Sequence, residues 1–78
     1  MNNTQKRQDE MYQDLLAQSQ GKNVISVSEA QFLTGKSWST LNRDMAARKL
    51  RYSQPKTRGK RTILLRDLVR YIDGDFEF

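Results

Sequence analysis

Two short stretches carry side chains suited to recognising a polyanion with patterned edges. The first, Ser37-Trp38-Ser39-Thr40-Leu41-Asn42-Arg43, groups hydroxyls, a carboxamide and a guanidinium at the spacing of one helical face. On a helix these are the groups that meet base edges in a major groove: a carboxamide suits adenine and a guanidinium suits guanine. The second, Lys56-Thr57-Arg58-Gly59-Lys60-Arg61, packs four cations into six residues around a glycine. Such a cluster repels itself unless something negative lies nearby, and a turn of this size suits a DNA backbone or a minor groove. Ser37, Trp38, Ser39, Thr40, Asn42 and Arg43 are therefore the candidate base-reading residues. Lys56, Thr57, Arg58, Lys60 and Arg61 are the candidate wing contacts, and Arg48, Lys49 and Arg51 extend the same basic track.

Other chemistries have little to stand on. The chain has no cysteine and no histidine, so thiolate and imidazole metal sites and disulfides are excluded. No pair of acids stands out as a catalytic dyad, and 78 residues leave little room for an enclosed pocket. The expectation is a protein that is not an enzyme, with no catalytic residue, metal or cofactor. Gly35-Lys36-Ser37 echoes the end of a mononucleotide-binding loop, but the preceding glycine is absent because residue 30 is alanine. No apolar run approaches the roughly 20 residues needed to cross a bilayer. The first ten residues are polar and carry no apolar signal segment. A cytoplasmic location is expected, with no membrane partner.

The net charge of +5 is unevenly spread. Residues 1–24 are neutral, residues 25–72 carry +8, and the last six residues carry −3. Positive charge concentrated on the middle of a small chain suits a phosphate surface, because each neutralised phosphate releases counterions.

Elements to position these groups can be read from capping and periodicity. Residues 1–8 are expected to be disordered, and residues 9–19 helical with Met11, Leu15, Leu16 and Ser19 on one side. Gly21 ends that helix. Ser26 with Glu29 forms a capping box opening a helix to about Thr34. Ala30 and Leu33 face inward there, with Val27 and Phe32 beside them. Gly35 closes it and Ser37 caps a second helix to about Arg48, with Leu41 and Met45 buried. Trp38 is either core packing or an exposed ring. Leu50 and Tyr52 alternate with polar residues as a strand, and Thr62 to Leu65 return beside it, giving a hairpin with a basic tip around Pro55 and Gly59. A last helix spans about Arg66 to Ile72, with Leu68, Val69 and Ile72 apolar and Asp67 favouring the helix dipole. The expected fold is mainly α with a small β-hairpin, a winged helix-turn-helix. Residues 1–24 form a flexible or short-helix extension, 25–72 the DNA-binding domain, and 73–78 an acidic-aromatic tail.

Residues 25–72 resemble the small winged helix-turn-helix domains of the MerR-like superfamily, in particular excisionases and AlpA-type regulators. The resemblance is carried by Ile25, Ser26, Val27, Ser28, Glu29, Ala30, Gln31, Leu33, Gly35, Ser37, Ser39, Thr40, Leu41 and Arg43, and further on by Ile63, Asp67 and Leu68. Lys36, Asp44 and Arg48 depart from it, standing where an aliphatic, a hydrophobic and a glycine residue are usual. The resemblance implies an architectural protein, nucleoid-associated in a bacterial or phage-infected cell, that binds double-stranded DNA sequence-specifically, self-associates cooperatively on repeated sites and biases an integrase toward excision of a phage or other mobile element. A stand-alone transcriptional regulator and a protein-interaction adaptor are the alternatives.

Overall fold

A computed structural model describes residues 3–54 and 59–75. In chain order the elements are α1 (Asn3–Gln18), β1 (Val24–Ser26), α2 (Val27–Thr34), α3 (Trp38–Ala46), β2 (Thr62–Leu64) and α4 (Leu65–Asp73). The fold is mainly helical with a small two-stranded antiparallel β element, in the manner of a winged helix-turn-helix.

The helix-turn-helix forms as its caps dictate. The Ser26 hydroxyl accepts from the Glu29 amide, and Gly35 ends α2 in the left-handed region at φ 71°. Ser37 opens α3 by accepting from the Thr40 amide. Ala30, Leu41 and Met45 are buried where α2 crosses α3. Phe32 is not inward as its apolar character suggested; it is 80% exposed. At about 100° per residue, a position two beyond the buried Ala30 points to the opposite side of the helix.

The strand pairing also differs from the expected hairpin. β2 pairs with β1, in the register Val24 with Leu64, Ile25 with Ile63 and Ser26 with Thr62. Ile25 and Ile63 face the core, while Val24 and Leu64 lie exposed on the other face. The segment around Leu50 and Tyr52 contributes one bridge only. Ser53 and Thr62 exchange N–H···O bonds of 2.8 and 2.9 Å. Leu50 is drawn into the core instead of running along β2, and the opposite edge of β2 belongs to β1. The Ser53–Thr62 bridge thus closes the root of the wing loop.

α3 stops at Ala46, short of the expected Arg48. Arg48 takes the left-handed conformation at φ 62°. Its amide donates to Met45 and the Lys49 amide donates back to Asp44, so the turn is a Schellman motif without glycine.

The N-terminal segment is more ordered than its composition suggested. α1 begins at Asn3, and its Leu15 is buried in the same core as Ile25, Leu65 and Leu68. Met11, Tyr12 and Leu16 pack against that core. Polar contacts fasten α1 along α4. Arg7 grips Asp73 with two hydrogen bonds of 2.7 and 3.1 Å, Gln8 bonds Asp73 and Asp75, and Arg66 bonds Asp9 at 2.7 Å while its guanidinium lies 4.1 Å from the centre of the Tyr12 ring. Asp73 and Asp75, read from the sequence as the start of a separate tail, belong to this contact. Ile72, expected on the apolar side of α4, is 40% exposed, while Tyr71 beside it is buried.

Candidate nucleic-acid interface

Local capping sets the first turn of α3. The Ser37 hydroxyl accepts from the Thr40 amide and donates to the Thr40 hydroxyl at 3.0 Å, so both side chains are engaged at the helix start. Ser39 and Arg43 are exposed, and Trp38 is 55% exposed. Trp38 is therefore not enclosed in the core.

The wing root meets this helix directly. Arg61 donates from Nη1 to the Asn42 carboxamide oxygen, joining two residues 19 positions apart. The same guanidinium lies over the Tyr52 ring, 5.1 Å from its centre. Gln54 donates to the Gly59 carbonyl at 2.8 Å and holds the neck of the loop. Lys60 is exposed at its edge. A cleft of about 460 Å³ runs between these parts, lined by Ser26, Val27, Ser28, Trp38, Gln54, Gly59, Lys60 and Arg61. Lys56, Thr57 and Arg58, the remaining candidate wing contacts, lie outside the described residues.

Charge and hydrogen bonding behind the surface hold α3 in place. The Tyr71 hydroxyl of α4 donates to the Asp44 carboxylate of α3 in a buried contact. Burial first, and then the Asp44 hydrogen bond and charge, push the Tyr71 hydroxyl well above its ordinary range, so it stays protonated and donates. Lys36 covers the outer side of the same ring, 4.9 Å from its centre. The sequence contained a signal for this network: an acid between Leu41 and Met45 interrupts an apolar stripe, and a buried acid needs a donor. Its partner, however, comes from another helix.

Asp67 on α4 is nearly buried as well. Burial raises its carboxyl above the ordinary value, opposed by the charges of Arg51 and Arg70. Among the described residues, no buried side-chain nitrogen or oxygen lacks a hydrogen-bond partner. Within the same residues, no helix is long and apolar enough to cross a membrane, and no cluster of acids could hold a metal ion.

The arrangement defines a class: a small helical protein of winged helix-turn-helix type, with a DNA-binding-like architecture. No family model, no curated protein and no solved structure matches the chain.

Proposed function

We propose that this protein binds double-stranded DNA sequence-specifically, with α3 in the major groove and the wing on the adjacent backbone or minor groove. The observation that carries the reading is the Arg61–Asn42 hydrogen bond, because it places the wing root and the polar side of α3 side by side. Ser39 and Arg43 are exposed on the same helix, and the charge of +8 on residues 25–72 supplies the attraction for phosphate.

Within that class we favour an excisionase of a phage or other mobile element, on the resemblance of residues 25–72. In this role the chain shapes DNA and leaves strand chemistry to an integrase. It fills repeated sites cooperatively through contacts between adjacent copies. A stand-alone transcriptional regulator shares the same DNA surface but reads a palindrome as a symmetric dimer.

The test is binding to random and to native duplexes across a salt titration, followed by footprinting. Salt-sensitive binding to random duplex, with tighter protection of directly repeated sites on native DNA, is the expected result. Palindromic half-sites held by a solution dimer would favour the regulator. No binding at 50 mM salt would overturn DNA binding and leave a protein-interaction adaptor.

A further inference from the structure

We infer that Arg61 is a specificity-determining residue that acts through Asn42, turning the base preference at that position from adenine toward guanine. The inference rests on the DNA-binding reading above and assigns the base class that this part of the surface takes.

An unengaged asparagine can present its carboxamide oxygen as acceptor and its amino group as donor, side by side. That pair matches adenine, which presents the N6 amino group as donor and N7 as acceptor in the major groove. Asn42 is not unengaged. Its carboxamide oxygen already accepts from Arg61 Nη1. The bond takes up one lone pair and sets a full positive charge beside the oxygen, which opposes the approach of another N–H donor. The Asn42 amino group remains, together with further N–H groups of a guanidinium that has five. The combined unit is rich in donors and short of acceptors. Guanine, with N7 and O6 both acceptors, is the base edge that suits it.

The guanidinium is also held from its own side. It lies over the Tyr52 ring, and Tyr52 adjoins Ser53, which is bridged to Thr62 next to Arg61. The Arg61 guanidinium is therefore contacted from both sides, by the Tyr52 ring and by the Asn42 carboxamide oxygen. Arg61 is half-buried, unlike the exposed Lys60 beside it. A residue so placed is poorly suited to a free search for phosphate. A lysine could keep its charge but would lack the planar fork.

The experiment selects sites from a randomised duplex pool with the full chain and then measures affinities on matched duplexes. The position read by Asn42 is the one whose preference is lost in Asn42→Ala. At that position the unaltered protein should prefer guanine. Arg61→Ala and Arg61→Lys should each move the preference toward adenine by about tenfold, within the range of one bidentate base contact. Arg61→Lys should do so while keeping the salt slope of the parent, and it serves alone if Arg61→Ala does not fold. In Asn42→Ala, changing Arg61 should no longer alter preference there. A uniform loss on all duplexes, with preference unchanged, would overturn the inference and make Arg61 a backbone contact while leaving DNA binding intact. Preference for adenine in the unaltered protein would overturn it too. No binding by the unaltered protein would overturn the DNA reading itself. Without DNA, the side-chain amide resonances of Asn42 should shift in Arg61→Lys; unchanged resonances would show that the pair is not formed.

Discussion

Tyr71 on α4 donates its hydroxyl to Asp44 on α3, and this buried contact ties the candidate recognition helix to the closing helix of the chain. Removing either partner leaves the other buried without this hydrogen bond. Asp44→Ala should cost about 1–3 kcal/mol by leaving the Tyr71 hydroxyl unsatisfied. Tyr71→Phe should cost a similar amount by stripping a buried carboxylate of its donor. Paired with the double variant in chemical denaturation, the two losses should be clearly non-additive; simple additivity would mean that the contact is not energetically coupled.

Leu15 makes α1 part of the core. Leu15→Ala should destabilise the protein by about 2–5 kcal/mol, as for other buried leucines. That loss approaches the whole stability of a chain this small, about 3–5 kcal/mol. Deleting residues 1–20 should therefore broaden the amide spectrum and lower the melting temperature sharply. A truncated chain with the melting curve of the parent would show that residues 25–72 suffice.

Arg48 holds a left-handed backbone position that glycine adopts without strain. Arg48→Gly should raise stability by about 1 kcal/mol, a gain of roughly 4–8 °C in melting temperature for a domain of this size. The same change should weaken DNA binding at low salt if Arg48 extends the basic track. A fall in melting temperature would mean that the Arg48 side chain contributes more than its backbone costs.

The contact between α1 and α4 should weaken in acid. The hydrogen bond from Arg66 holds Asp9 below its ordinary value of 3.8. Asp73 is likewise lowered, by Arg7 first and then Gln8. Groups with lowered folded values stabilise above 3.8 and lose that contribution as pH falls through the folded value. Asp67 runs the other way. Its raised value adds stability at low pH that is lost as pH rises through the folded value. Protection factors along α1, each referred to the intrinsic exchange rate at the same pH, should therefore fall below pH 4, and Asp67→Asn should leave that fall in place. High salt should mute it, because Arg7 and Arg66 are largely exposed. Protection factors in α1 that stay constant across this pH range would show that apolar packing alone holds the helix.

Truncating the cationic loop should act on all DNA alike. Replacing Arg58 and Lys60 with alanine should weaken specific and random binding together and flatten the salt slope by about 2. An unchanged slope would remove the wing from the interface.

What the chain's own letters settle is local. Ser26, Gly35 and Ser37 set the borders of the helix-turn-helix, since a side-chain cap acts within three residues and a glycine acts on its own φ. Leu41 and Met45 were legible as a buried face because their spacing matches one helical turn. The basic cluster was legible as charge, though of its four cations only Lys60 and Arg61 fall within the described residues. Long-range pairing was not legible in the same way. Any short β-prone segment can accept β2; Val24–Ser26 takes one edge of it, while the segment around Tyr52 keeps only the Ser53–Thr62 bridge on the other and Leu50 lies in the core. Phe32 read as core by type, yet the angle of its turn placed it outside. Asp44 read as a departure from the family resemblance, an acid where a hydrophobic residue is usual, and only the packing of α4 supplied Tyr71 as its donor. Asn42 and Arg61 each stood out as polar, but their union across 19 residues depends on how the wing root folds back against α3. Sequence spacing encodes contacts within a turn or two of chain. Contacts between elements depend on which surfaces are left after the core has closed, and the tertiary structure alone decides that.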